Sequence, residues 1–236
     1  MRRISIALDG LAGSGKSTVA RMLAERLGYI YIDTGAMYRA ITLKALREVI
    51  APADADRLAI LAERTALRIL GTRPGPNGVP QCHLEMDGED VSEEIRSAPV
   101  THAVSPVSTI SGVRRALVRQ QQSMARDGGV VMDGRDVGTV VLPHAELKVF
   151  LQADLAERIR RRQLELAAKG QSPAAEDVRR QIEERDYIDS HREDSPLRAA
   201  PDAVTLDTTR LTVAEVLERL LSVAGERGAY VIPDHL

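Results

Sequence analysis

Gly10-Leu11-Ala12-Gly13-Ser14-Gly15-Lys16-Ser17 opens on a glycine, closes on a lysine and a hydroxyl, and is followed by a second hydroxyl, Thr18. Glycines at these spacings let consecutive backbone N–H groups curl around an anion, and a helix starting near Lys16 adds the positive end of its dipole. Lys16 is placed to bridge the β- and γ-phosphates of a nucleotide. The Ser17 hydroxyl is placed to ligate Mg²⁺, which prefers hard oxygens and keeps several waters. The flanks agree with this reading. Ile4-Ser5-Ile6-Ala7-Leu8 is a short apolar run suited to a buried parallel strand, ending at Asp9-Gly10. Beyond the loop, Val19, Ala20, Leu23, Ala24 and Leu27 recur at helical spacing as far as Gly28, a natural residue just past a helix end. Strand, glycine loop and helix together predict an α/β protein that holds a nucleoside triphosphate through Gly10 to Thr18.

Further strands are expected at Tyr29 to Asp33, Val130 to Asp133, Leu147 to Leu151 and Ala203 to Asp207, and a helix at Met37 to Arg47. Each strand leads into helical sequence except Val130 to Asp133, which meets a Gly-Arg-Asp loop. Asp133 and Asp33 both end apolar strands, so each reads either as an acid near the metal's water shell or as the cap of a following turn. Thr212 with Glu215 forms a capping box for a last helix, with Leu211 placed to staple onto Val216. That helix turns Val213, Val216, Leu217, Leu220 and Leu221 toward the core. Between about Leu67 and Val100 a breaker cluster, Arg73 to Gly78, and the alternation of Cys82, Leu84 and Met86 before Asp87-Gly88 predict a small β-rich insertion. Arg158 to Lys169 and Ala174 to Tyr187 are charged helical stretches joined through Gly170 to Pro173. They read either as a mobile lid or as a solvated surface hairpin.

Composition narrows the partners. The 236 residues, 44% hydrophobic and 28% charged, suit one globular domain with an insertion. A single cysteine, Cys82, makes no internal disulfide, and no run of about 18 apolar residues or signal-peptide pattern is present, so a cytoplasmic protein without a membrane segment is expected. A net charge of −2, no tryptophan and one phenylalanine argue against nucleic-acid polymers as partners. No His-Glu-x-x-His spacing marks a zinc site. The Asn-Lys-x-Asp tetrapeptide expected of a guanine-reading switch is missing as well. Arginines are instead prominent near loop-like or helix-start positions: Arg39, Arg114, Arg135, Arg185 and Arg192. Guanidinium forks match phosphate geometry, and an enzyme that joins two anionic substrates needs several.

Three further motifs carry a resemblance. Asp33-Thr34-Gly35-Ala36-Met37-Tyr38-Arg39, Gly134-Arg135-Asp136-Val137-Gly138-Thr139-Val140-Val141, and the Arg185-Asp186, Asp189-Ser190, Arg192 and Ser195-Pro196-Leu197 series, taken with the glycine loop, resemble the bacterial cytidylate kinases. The resemblance runs from about Ile4 to Leu221 and leaves out the tail from Gly225 to Leu236. It implies the nucleoside monophosphate kinase fold, a five-stranded parallel sheet flanked by helices, as one domain over 1–236. Within that domain it implies a monophosphate-binding region with the β-rich insertion at about 37–125 and a helical lid at about 155–190. It implies phosphoryl transfer from ATP, with Mg²⁺, to CMP and dCMP, by an enzyme expected to be monomeric. Thr34, Arg39 and Arg135 would hold the acceptor phosphate, Ser105, Arg114 and Asp136 would face the base, and Arg185, Asp189 and Arg192 the sugar. Lys16 and lid arginines drawn from Arg158, Arg161 and Arg162 would be catalytic. The rival readings are a P-loop kinase for another small acceptor, and a regulatory module that hydrolyses its nucleotide slowly.

Overall fold

From Ile6 to Gly10 every residue of the first strand, Ser5–Gly10 (β1), is buried, which is why it reads as an unbroken apolar run rather than an alternating one. The computed structural model describes residues 3–74, 80–168 and 170–230. Gly15, in the left-handed region at φ 90°, starts the first helix, Lys16–Leu27 (α1), and Gly28 ends it. Ile30–Asp33 (β2) runs directly into Thr34–Arg47 (α2). This helix begins three residues earlier than the apolar pattern suggests, because the Asp33 carboxylate accepts the Ala36 N–H at 3.0 Å and caps it. Asp33 is therefore the cap of the two alternatives. Ala55–Arg64 (α3) follows.

The insertion is a three-stranded antiparallel sheet of Leu67–Pro74 (β3), Pro80–Met86 (β4) and Glu89–Asp90 (β5). Cys82, Leu84 and Met86 all face inward, and Asp87 and Gly88 turn the chain at φ 53° and 87°. Residues 75–78 of the breaker cluster lie outside the described residues, as do Lys169 and the tail beyond Tyr230. Ala98–Thr109 (α4) and Ser111–Met124 (α5) lead to Val130–Asp133 (β6). The loop after β6 then closes into a π-helical turn, Val137–Val141. Leu147–Gln152 (β7), Leu155–Ala167 (α6), Ala175–His191 (α7), Val204–Asp207 (β8) and Val213–Glu226 (α8) complete the chain.

The main sheet has the order β2-β6-β1-β7-β8, with every neighbouring pair parallel. Its carboxyl edge gathers Asp9, Asp33, Asp133, Gln152 and Asp207 on one side of the molecule, where open α/β sheets place their ligands. The capping box of α8 is present. Its buried face is Val216, Leu217, Leu220, Leu221 and Ala224, while Val213 is 46% exposed at the first helical position, before the stripe turns inward. The α6–α7 pair has a small core of its own, Ile159, Leu166, Val178 and Ile182 with Leu155, separate from the main one. No helix among the described residues is long and apolar enough to cross a membrane.

Val49 stands where a glycine is usual. The chain leaves α2 with the Ile50 N–H bonded to the Ala45 carbonyl at 2.8 Å, which forces Val49 to φ 54°, although its side chain is 87% exposed. A β-branched residue in the left-handed region is strained, and this one has little packing to lose. Val49→Gly should therefore raise stability by about 1 kcal/mol, a rise in thermal midpoint of about 2–4 °C for a chain of this size. A denaturant melt of the two proteins checks it.

Candidate active site

The donor loop is shaped by close approach. A β-carbon on Gly10 would stand 1.9 Å from the Leu151 carbonyl oxygen of β7, so only glycine lets β1 pass there into the loop. Lys16 is buried and donates from Nζ to the Leu11 carbonyl at 2.7 Å. Burial first, and then the Arg135 charge, hold its ammonium well below the usual lysine range. Ser17 donates to Asp133 Oδ2 at 2.7 Å, and Tyr31 donates to Oδ1 at 2.9 Å. Asp133 is thus the acid beside the Ser17 hydroxyl, and burial holds its carboxyl above the usual range. The Asp133 carbonyl accepts the Thr34 hydroxyl at 2.8 Å, which brings the first residue of α2 to the same edge.

Beside the glycine loop lies a largely buried cluster of arginines and aspartates, with Arg185 at its exposed edge. Arg114 pairs with Asp136 Oδ2, and Arg192 stands 3.4 Å from Asp136 Oδ1. Arg135 donates from Nε to Asp189 Oδ2 at 2.8 Å, with Arg185 at 4.0 Å from the same oxygen. Asp136 therefore pairs with Arg114 and Arg192 rather than with its neighbour Arg135. Arg114 also stacks over the Tyr38 ring, 5.4 Å from its centroid. Arg114 Nε and Arg192 Nη2 are among the buried N–H groups of the described residues that lack a hydrogen bond, although Arg192 Nη2 keeps its ion pair with Asp136. Such groups are destabilising unless something accepts from them. Arg39 donates to the Thr101 hydroxyl at 2.9 Å. Two of these arginines correct the sequence reading: Arg39 and Arg185 sit inside α2 and α7 rather than at loops or helix starts, and reach the site from helix flanks. Ser105 lies in α4, where its carbonyl accepts the Ser108 hydroxyl at 2.7 Å.

Arg158, Arg161 and Arg162, crowded on α6, have separate partners. Arg158 is buried, pairs with Asp186 and donates to the Ala12 carbonyl at 3.2 Å. Asp186 in turn accepts the Ala12 N–H at 3.2 Å. Both polar groups of Ala12 are therefore gripped by α6 and α7 together. Arg161 donates to the Ser14 carbonyl at 3.2 Å and to the Thr208 carbonyl at 2.6 Å, while the Thr208 hydroxyl lies 3.1 Å from the Ser14 carbonyl. Arg162 pairs with Glu165 on its own helix. Arg39 is held low by burial first, and like-charge repulsion from Arg162 adds to this, as it does at Arg185. Sequence reasoning assigned nothing to Asp186 or Thr208. Asp186 stood inside a quoted motif, which was the available signal, whereas Thr208 carried none.

The sequence profile of the cytidylate kinase family, described as "Cytidylate kinase", matches residues 6–226. A cytidylate kinase of Geobacillus kaustophilus is 50% identical over 226 residues, 96% of this chain and 98% of that protein. The cytidylate kinase of Bacillus subtilis is 45% identical over 96% of this chain and 98% of its own length. Among solved structures, a Thermus thermophilus protein aligns with a TM-score of 0.50 and 20% identity over 98% of this chain and all of that one, a likeness of fold.

Single replacements of the lid arginines should have unequal effects. Arg162→Ala should lower turnover by about 100- to 1,000-fold, the usual loss for a group that stabilises transition-state charge, and leave the thermal midpoint unchanged. Arg158→Ala should also lower the midpoint, since it leaves the half-buried Asp186 against the loop without its cation. Turnover and melting of the purified variants decide this.

Proposed function

The chain belongs to the cytidylate kinase family, and from that premise we propose how its site works. The enzyme transfers the terminal phosphoryl group of ATP to CMP, giving ADP and CDP. In our reading dCMP is a second acceptor, because base and phosphate are unchanged in it. The observation that carries the acceptor assignment is the buried Arg114–Asp136–Arg192 set with its two N–H groups that make no hydrogen bond. Cytosine offers an N4 amino donor beside the N3 and O2 acceptors, the complement of a carboxylate flanked by guanidinium donors. Ser105 would complete the base contacts. Thr34, Arg39 and Arg135 would hold the acceptor phosphate, and Arg185, Asp189 and Arg192 its sugar end.

The donor phosphates would lie in the loop from Gly10 to Thr18. Lys16 would leave the Leu11 carbonyl for phosphate oxygens, and its depressed ammonium would recover its proton affinity beside them. The oxygens of Ser17 and Asp133, 2.7 Å apart, are the small hard-donor set that suits Mg²⁺. When bound, Mg²⁺ neutralises phosphate charge. Phosphoryl transfer has a loose, in-line transition state, so positioning and charge stabilisation carry the catalysis. The acceptor phosphate is already an anion near neutral pH and needs no strong base. Arg162 would meet the charge that develops between donor and acceptor, while Arg158 and Arg161 hold the loop in shape. We place the monophosphate-binding region with its insertion at about 37–125 and the lid at about 155–190, within one domain over 1–236 whose lid closes to exclude water. A monomer acting in the cytoplasm on small molecules, without nucleic-acid polymers, completes this reading.

Base selection tests it. Uracil reverses the first two groups of cytosine, setting O4 against Asp136 and N3–H against arginine donors. Coupled assays with ATP should show CMP preferred to UMP. Asp136→Ala should lower catalytic efficiency for CMP by about ten- to a hundredfold while harming UMP much less. Equal fractional losses for the two bases would show that Asp136 does not read the base, and ATP hydrolysis indifferent to any monophosphate would refute the kinase reading.

A further inference from the structure

Asp9 is used by none of the donor or acceptor contacts described above. It stands at the carboxyl end of β1, 4% exposed, and its oxygens each accept one backbone N–H: Val137 to Oδ1 at 2.8 Å and Gly138 to Oδ2 at 2.7 Å. Leu8, just before it, accepts the Gly134 N–H at 3.0 Å. Gly134-Arg135-Asp136 is therefore fastened to β1 at both ends, and β1 continues through Gly10 into the donor loop. We propose that Asp9 is a positioning residue that sets the spacing between the two substrates: its carboxylate holds the loop presenting Arg135 and Asp136 at a fixed place relative to the loop that grips ATP. The proposal rests on the acceptor role of Arg135 and Asp136.

The geometry supports it in two ways. The first N–H groups of any helical turn lack partners within the turn, and a carboxylate taking two of them makes charge-assisted bonds about twice as strong as neutral ones. The seat is also tight, since a β-carbon on Gly138 would stand 3.3 Å from Asp9 Oδ2 and 3.3 Å from Lys148 Cδ. In-line transfer is sensitive to such tightness, because a misplacement of about 1 Å costs on the order of 100-fold in rate.

The charge on Asp9 is not retained for stability. Burial first, with Asp136 adding to it, raises its carboxyl from 3.8 to about 6 against the pull of the two N–H groups and Lys16. A folded value above the unfolded one means that ionisation opposes folding: the group's contribution is full below 3.8 and is lost as pH rises through about 6. The ionised form that prevails at neutral pH is the form that accepts both N–H groups. The charged groups around it are Asp136 before the π-helical turn, Lys16 on α1 and Lys148 on β7, the last engaged by Asp202 and the Pro143 carbonyl.

The test compares wild type, Asp9→Asn and Gly138→Ala from about pH 5 to about pH 8, reading kcat/KM for CMP and KM for ATP. Asp9→Asn should fold with an undiminished thermal midpoint, lose about ten- to a hundredfold in kcat/KM for CMP at neutral pH, and keep its KM for ATP within about threefold. The ratio of wild type to variant should shrink toward one below about pH 6, where Asp9 of the wild type is protonated too. Titration of the CMP phosphate and of Asp133 is common to both proteins and cancels in that ratio. Gly138→Ala presses on the same carboxylate from the other side and should give the same CMP-selective loss, so the test stands even if the asparagine variant does not fold. A ratio flat with pH, equal losses for ATP and CMP, or no loss would overturn the proposal. A wild-type enzyme inactive on CMP would instead remove the acceptor reading beneath it.

Discussion

At the carboxyl edge of the sheet, Arg114, Arg135 and Arg192 share a nearly dry volume with Asp136 and Asp189. Taking such charges out of water costs several kcal/mol per ion, and their mutual attraction repays this only when the geometry is good and the remaining polar atoms are satisfied. Here hydrogen bonding is incomplete, since Arg114 Nε and Arg192 Nη2 make none, the latter lying 3.4 Å from Asp136 Oδ1. An apolar core of the same volume would be at least as stable. In the function proposed above the cluster is half of an arrangement whose other half is a nucleotide, which would bring the acceptors and the negative charge that the protein withholds.

Such a cluster needs a stiff frame, and the frame converges on β1. Pairing with β6 on one side and β7 on the other leaves β1 buried throughout, and its last residues reach three functional segments at once. Gly10 starts the glycine loop, Leu8 and Asp9 hold the Gly134–Asp136 loop, and Gly10 packs against Leu151 of the strand that leads to α6. The lid side returns the contact, because Arg158 and Asp186 close on Ala12, and Arg161 with Thr208 closes on Ser14. The glycine loop is thus held from below by the sheet and from above by two helices, while Arg162 pairs with Glu165 on its own helix.

How much of this was legible in the sequence follows from the distance over which each feature is encoded. The glycine loop, the buried strands, the insertion and the Thr212 capping box are written within a dozen residues each, and local propensity and period recover them. Helix α2 began earlier than its apolar pattern because a single aspartate, Asp33, caps it, and Val213 proved exposed because the first turn of a helix need not share the stripe behind it. The site partners were not legible for a different reason. Asp9 bonds to Val137 across 128 positions, Asp186 to Ala12 across 174, and Arg158 to Ala12 across 146. Spacing in the chain carries no trace of such pairs. For the same reason three arginines on one helix looked equivalent until their partners were known.

Because the cluster is described as half of an arrangement completed by a nucleotide, ligand-induced stabilisation without any turnover tests that description most directly. The thermal midpoint should be followed with CMP, UMP and cytidine in the absence of ATP. A ligand at about 100 times its Kd adds about 2.7 kcal/mol, and each kcal/mol is about 2–4 °C in a chain of this size. The account predicts a rise of that order for CMP, a smaller one for UMP at the same concentration, and almost none for cytidine, which lacks the phosphate that Arg39 and Arg135 would hold. Equal shifts for CMP and UMP, or an unchanged midpoint with CMP, would contradict it.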